Sequence, residues 1–542
     1  MVVENLSRTN GRTLVYFVLS TTASPLQYDG NHIGAHGDAT YEYVVVGGGT
    51  AGLTIASRLA EFASVAIIEA GGYHEVSYGN ASVVPLYSLT KIDVIDPTST
   101  FPRRPEIDWE LLTVPQTNAS RQIVHYAQGK TLGGSSALNT MSYLRSTKGA
   151  YQRWIDEVGD DSYIFEILLP FFKRSVRLAP PNLALRDASN ATPEYDLTAY
   201  GPGSPLNISW NNWVDPTLTW LAKSVQSIGL PVNSKGFSSG ELDGGAWLPS
   251  TIDPAHATRE SSQTSFLDHA IANAGIKVYP WTIATKVICD GKKATGVNVT
   301  TNGTQYTLSA TKEIIVSAGV FNSPKLLMLS GIGPQETLKS FNTSIVADLP
   351  EVGQNPPGSA RSSTPVPEDA AGSYSSAPGY ISYERLPTDL RETLALGSIS
   401  ATRTRTFFWG SVTLTSSNYT DNPVIDLGWF SNAADAEVLI AGIRRLRQAW
   451  GSEAALSIRL GTEVRPGVSV QTDDEILNYI KNNTNTIWHA SSTCSMGSAG
   501  NPKAVGLRVV DLSIIPYSSP GHPQATVYAL VEKLASDIES NH

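Results

Sequence analysis

Residues 41–72, YEYVVVGGGTAGLTIASRLAEFASVAIIEAGG, read as strand, glycine turn, helix and strand. The apolar, β-branched run 43–46 suits a strand whose two faces are both buried in a parallel sheet. Gly47, Gly49 and Gly52 follow it as GxGxxG. The first glycine of that pattern permits the tight turn, the second lets backbone approach a pyrophosphate, and the third lets the helix pack closely on the strand. The phosphates would rest on the helix N-terminus, where free N–H groups and the macrodipole favour anions. A second strand, 64–68, ends in Glu69, at the spacing where an acid meets a ribose hydroxyl. Strand, helix, strand and acid together make this a dinucleotide site, although the fingerprint does not separate FAD from NAD.

At 542 residues the chain is long enough for two or more cores, and its composition is that of an ordinary globular protein. A formal charge of −10 without a Lys/Arg block argues against a nucleic-acid partner and leaves small neutral molecules as the default substrates. Two cysteines, Cys289 and Cys494, can build neither a disulfide framework nor a cysteine-rich metal site, so no metal is expected. Near the N-terminus, Arg8 and Arg12 precede an apolar run, 14–19, and then small residues ending in Ala23 and Ser24. That order predicts a signal peptide within a leader, 1–40. Ten Asn-x-Ser/Thr sequons suit a glycosylated, secreted protein. No apolar run reaches membrane-spanning length.

Beyond the first βαβ unit, the proline-punctuated stretch 73–124 reads as extended loop. HYAQGKTLGGSSALNTMSYLR, 125–145, holds a second glycine and hydroxyl cluster, suited to offering N–H groups and serine hydroxyls to a phosphate or a flavin ring. Residues 150–177 have helical spacing broken at Gly159 and Pro170. Segments 276–279, 285–289, 296–300, 307–309 and 313–317 read as short strands, and Asn322 or Ser323 is placed to cap a short helix that includes 325–329. Residues 374–396 are low in apolar content, 401–414 read as a strand, and 433–450 form an amphipathic helix. A last helix starts near Gln524.

These motifs, in order, resemble the glucose-methanol-choline (GMC) family of flavin oxidoreductases. The matches are GGGTAG at 47–52 with Glu69, GKTLGGSSALN at 129–139, AGVFNSPKLLMLSGIG at 318–333, GSVTLTSS at 410–417, DNPVID at 421–426, WHASSTCSMG at 488–497, VVDLSIIP at 509–516 and GHPQATVYAL at 521–530. The wording is most similar to fungal aryl-alcohol oxidase-like and secondary-metabolism members. The resemblance implies an α/β plus α+β protein: a Rossmann-like FAD-binding domain made of 41–150, 235–355 and 486–542, and a discontinuous substrate domain on an antiparallel sheet, made of 151–234 and 356–485. It implies cofactor contacts at Gly47, Gly49, Thr50, Ala51, Gly52, Glu69, Gly133, Ser135, Asn139, Val287 and Asp511. Ala137 and Leu138 stand where some relatives carry a flavin-tethering histidine, so the FAD is expected to be non-covalent. One departure concerns the segment after the GVGxNL-like position, where Gly353-Gln354-Asn355 runs into Pro356-Pro357-Gly358 and the next match already begins at Gly410. The expectation is a shortened substrate domain.

Oxidation of an alcohol removes a proton from oxygen and a hydride from carbon. It therefore needs a base near neutral pKa and an electron sink; histidine suits the first task and a flavin the second. By resemblance, His489 of WHASST is the base facing flavin N5 and His522 of GHPQ its partner. The expected activity is FAD-dependent oxidation of a small alcohol, with O2 or another acceptor reoxidising the cofactor. The alternatives are a flavin-retaining lyase or cyclase and an inactive, truncated homologue. A Ser-His-Asp hydrolase is disfavoured because no G-x-S-x-G elbow occurs.

Overall fold

The computed structural model describes residues 30–91, 104–186, 191–354, 410–459, 461–463, 465–497 and 506–541, and the backbone of strands at 8–9, 12–13, 360–363, 380–385, 393–397 and 400–403. The expected leader lies largely outside the described residues.

The first sheet has seven strands. Its parallel half begins with β1 (Ala39–Val46), α1 (Thr50–Leu59) and β2 (Val65–Ile68), as the opening stretch predicts. β3 (Ile276–Tyr279) adds a parallel strand beyond β2. A meander follows, of β4 (Thr282–Asp290), β5 (Lys293–Thr301) and β6 (Thr304–Val316), and β6 returns to lie parallel to β1. The order is β3–β2–β1–β6–β5–β4, with β7 (Leu507–Val509) parallel to the end of β6. The segments 307–309 and 313–317, separate in the sequence reading, fuse into the 13-residue β6. Its first half pairs with β5 and its second half with β7, so one strand serves both parts of the sheet.

α2 (Gly319–Leu329) begins immediately after β6, earlier than expected. Ser323 is therefore inside its first turns rather than a cap, and its hydroxyl donates to Asp511 Oδ2 at 2.6 Å. The final helix, α3 (Gln524–Glu539), starts where its apolar pattern starts. Pro170 does not break its helix, which runs Phe165–Ser175. The proline is exposed, and so is Glu166, whose carbonyl loses its i+4 donor at a solvent-facing position. Residues 374–396, poor in apolar side chains, nonetheless contain two strands, Tyr380–Arg385 and Thr393–Gly397.

A second sheet of six strands runs Thr484–Thr486, Ala360–Ser363, Ser400–Arg403, Thr393–Gly397, Tyr380–Arg385 and Gly244–Trp247, with every neighbouring pair antiparallel. The antiparallel sheet expected of the substrate side is thus present, with four strands drawn from the short segment after Asn355. Two boundaries differ from the sequence reading. Gly244–Trp247 belongs to this sheet although 235–355 was assigned to the cofactor domain. The helices Lys148–Val158 and Phe165–Ser175, assigned to the substrate domain, bury Trp154, Phe165 and Phe172 in the same core as Leu59, Tyr528 and Leu534 of α1 and α3. Periodicity shows that these helices have an apolar face, but not which surface covers it.

α1 and α3 are also joined by charge. Glu532, fully buried, accepts from Arg58 Nε at 3.1 and 3.0 Å and from Arg58 Nη2 at 2.7 Å, and Arg174 Nε approaches its other oxygen at 3.2 Å. Removing one side of a buried ion pair leaves an uncompensated charge and typically costs about 3–5 kcal/mol. Glu532→Gln is therefore expected to lower unfolding free energy by about that amount in a denaturant titration; a loss under about 1 kcal/mol would show that this contact does not hold the helices together.

Candidate active site

One cavity of about 420 Å³ joins the sequence motifs. At one end stand Gly47, Gly49, Thr50 and Ala51, with Glu69 beside them, and at the other His489 and His522. The glycine-serine turn, including Ser135 and Asn139, forms the wall between.

The two glycine turns meet by backbone. Gly133 N–H donates to Gly48 O at 2.8 Å, and a Cβ on Gly134 would lie 2.6 Å from Gly49 Cα. Gly52 is not in the wall; a Cβ there would lie 1.9 Å from Gly47 O, so it secures helix-to-strand packing. Gly133, with φ +90°, likewise sits behind the surface and shapes the turn. No side chain caps α1, so its first N–H groups point toward the cavity unmatched. An uncapped helix end bordered by a cavity-lining glycine, where a Cβ would only reach ordinary contact with Gly134 Cα at 3.7 Å, fits a diphosphate. Glu69 accepts from Gly48 N and Gly71 N, each at 2.8 Å, and burial pushes its carboxyl up to about 7 despite those bonds. Two bonds leave lone pairs over for a ribose hydroxyl.

Ser135 accepts from Gly129 N at 3.2 Å and keeps its own proton for the cavity. Asn139 is engaged within the protein: its amide donates to Gln524 Oε1, and its oxygen accepts from Met141 N at 3.0 Å and Arg259 Nη1 at 2.9 Å. Asp511 lines the cavity but is also occupied, accepting from Gly319 N at 2.9 Å, Ser323 Oγ at 2.6 Å and Ser513 N at 2.8 Å. Val287 is not a cavity residue. It is buried between strands, and its N–H donates to Ser330 Oγ at 2.8 Å. The same strand reaches the cavity earlier, through Thr282, Ile283 and Ala284. A bulge interrupts the strand between Ala284 and Lys286, just past the last of these residues.

His489 and His522 converge from different segments. Nε2 of His489 lies 3.4 Å from Nδ1 of His522, and the rings cross at 86° with centroids 4.9 Å apart. His489 is partly buried and lines the cavity. Burial first, and His522 second, hold its pKa well below the ordinary histidine range, so it is neutral near pH 7. Its loop is strained and strapped: Trp488 (φ +58°) and Ser492 (φ +67°) flank it, Ala490 N donates to Tyr126 OH at 2.6 Å, and Thr493 Oγ1 donates to Val320 O at 2.5 Å. Sequence reasoning missed Tyr126, Ala284, Gln524 and Arg259. Of these, Gln524 lies inside GHPQ and Tyr126 inside the stretch 125–145, whereas Ala284 and Arg259 lie in no motif.

Comparison with known proteins agrees with this geometry. Two family models described as GMC oxidoreductase match, the N-terminal one over residues 41–356 and the C-terminal one over 409–530. Patulin synthase of Penicillium expansum is 38% identical, covering 94% of each chain, in an alignment of 597 positions. That alignment is longer than this chain, so the relative carries internal residues that this chain lacks. Glucose methanol choline oxidoreductase atC of Aspergillus terreus is 40% identical over 93% of each chain. Among solved structures, an FAD-dependent oxidoreductase from Chaetomium thermophilum superposes with a TM-score of 0.80 at 25% identity, covering 93% of this chain and 99% of its own. With the family models covering most of the chain and the cavity shaped for a dinucleotide, the chain belongs to the GMC oxidoreductase family of FAD-dependent enzymes.

Proposed function

We propose that this chain oxidises a small alcohol to an aldehyde, ketone or lactone, with His489 taking the hydroxyl proton. The observation that carries this reading is the crossed, cavity-facing pair of imidazoles, one of them neutral through burial. FAD, when bound, supplies the acceptor for the hydride. His522 and His489 share one edge of the cavity, so a hydroxyl oxygen placed there meets a donor from one ring and a lone pair from the other. Within the glycine-serine turn, Ser135, Ser136, Ala137 and Leu138 offer no ring nitrogen or thiol for a flavin bond, which supports non-covalent FAD. O2 or another oxidant then removes the electrons. Fungal relatives bearing synthase and oxidoreductase names support a role in secondary metabolism.

Gly49→Val places a branched side chain at the cavity wall, against Gly134, whose Cα a Cβ there would already meet at 3.7 Å. The wild type is expected to purify yellow and to release intact FAD on denaturation, and the variant to lose most of its flavin. Equal FAD affinity in the two proteins, measured by fluorescence quenching, would remove Gly49 from the site.

His489→Ala should retain FAD and slow flavin reduction by roughly 10²- to 10⁴-fold, the usual contribution of a general base. His522→Asn should lose less, since an amide still holds the oxygen but cannot take its proton. Because the pKa of His489 is lowered, its base form persists as pH falls through 6.5, and the wild-type rate should stay level there before dropping at lower pH. Anaerobic rapid mixing with candidate alcohols decides the matter: a flavin that no alcohol bleaches, in a protein that still converts substrate, favours the lyase or cyclase reading.

We also propose that the protein is secreted and glycosylated. Asn80, Asn118, Asn302, Asn342, Asn418 and Asn482 are exposed, whereas the Asn207 side chain donates to Glu260 and that of Asn298 accepts from Thr307. Exported material should begin near Ser24, and peptide mapping should find glycans at exposed sequons but not at Asn207 or Asn298. An intact Met1 on unglycosylated, intracellular protein would overturn this.

A further inference from the structure

Arg259 is a cavity residue that none of the motifs contains. It is 3% exposed, and among the described residues no carboxylate lies within ion-pair distance of it. Its guanidinium is satisfied on one side by neutral oxygens: Nε donates to Ser82 O at 2.7 Å, and Nη1 to Ser136 O at 3.2 Å, Asn139 O at 2.7 Å and Asn139 Oδ1 at 2.9 Å. Nη2 makes no hydrogen bond to the described residues. Neighbouring acids and bases do not balance it. Glu260 turns its carboxylate to Asn207, and His74 is held neutral by burial and by Arg259 itself, its pKa pushed down to about 3. Burial lowers Arg259 only to about 9, so the cation persists at neutral pH.

A buried, uncompensated guanidinium is costly unless something negative reaches it. Position decides which part of a bound dinucleotide that is. The diphosphate cradle at Gly49 touches the Gly134 end of the glycine-serine turn, whereas Arg259 holds the Ser136–Asn139 end. From there Asn139 leads directly to Gln524, two residues beyond His522.

We propose that Arg259 is the fixed positive charge of the catalytic end, stabilising the negative charge that hydride transfer places on the ring of the bound FAD. The inference rests on the alcohol-oxidation reading. In that reaction the O–H and C–H bonds break and C=O forms. The proton goes to His489, the hydride carries its electron pair to the ring, and the external oxidant later removes two electrons. Charge builds on the ring only in the reduced state, so the cation favours that state selectively.

The test is the two-electron midpoint potential of holoenzyme carrying Arg259→Lys or Arg259→Gln. Lysine keeps the charge and loses the fork; glutamine keeps amide donors and loses the charge. Arg259→Gln should weaken reduced relative to oxidised FAD at least tenfold, equivalent to about 30 mV for a two-electron couple, while Arg259→Lys stays within about threefold of the wild type. Should Arg259→Gln purify without flavin, its affinities for oxidised and reduced FAD give the same ratio. A tenfold greater loss for the reduced form supports the proposal. An unchanged ratio overturns it, as does loss of FAD from both variants or from Arg259→Lys alone, since Arg259 would then only brace the turn. A wild-type protein that binds no FAD would instead sink the functional reading beneath it.

Discussion

The site depends on backbone meeting backbone where two glycine turns, 47–49 and 133–134, touch. A Cβ at Gly134 would collide with Gly49 Cα at 2.6 Å, and one at Gly129 would lie 2.2 Å from Gly134 C. Side chains at these points would push the turns apart and open the cleft that the uncapped end of α1 faces. Because β1 and β2 fix the first turn and the Gly133 N–H to Gly48 O bond fixes the second on it, the cleft has one width. The remaining walls are built outward from that contact.

The catalytic end is fixed by a different device. Positive φ at non-glycine residues costs of order 1–3 kcal/mol each, and Trp488 and Ser492 both carry it, on either side of His489. The strain is offset by ties to three separate parts of the chain: Tyr126, Val320 and, through Cys494 N to Ser513 O at 2.9 Å, the segment after β7. An imidazole on such a loop has little freedom to turn away, and preorganisation of that kind would serve the proposed proton transfer.

Much of this was legible in the sequence because it is local. The βαβ unit, the start of α3 and the helix Ala433–Trp450 follow from patterns that a window of residues contains. What failed was non-local. Val287, implied by resemblance alone, lies past the bulge in β4, whereas Thr282, Ile283 and Ala284 before it line the cavity. The domain assignment of Phe165–Ser175 missed its packing on α3 because an amphipathic face does not name its partner. Arg259 was invisible because a buried cation in TRESS looks like a solvated one until the fold encloses it. The short segment after Asn355 was legible as a departure from the family pattern, but the four strands it supplies were not.

Net charge was the least informative property about the site. The chain is acidic overall, yet its cavity holds two buried cations, Arg259 and Lys325. Burial disfavours the charged forms of Glu69, Lys325, Arg259 and His489 there, and the outcome depends on where each group starts. Glu69 rises to about 7, Lys325 falls to about 8, and Arg259 falls to about 9. Lys325 therefore stays largely protonated at pH 7, and its ammonium donates to Tyr419 O at 2.8 Å. It cannot serve as the base. Histidine starts near 6.5, so the same desolvation makes His489 neutral and leaves a lone pair available. Burial thus leaves a neutral imidazole at His489 and a lasting charge at Arg259, although both are basic residues lining the same cavity.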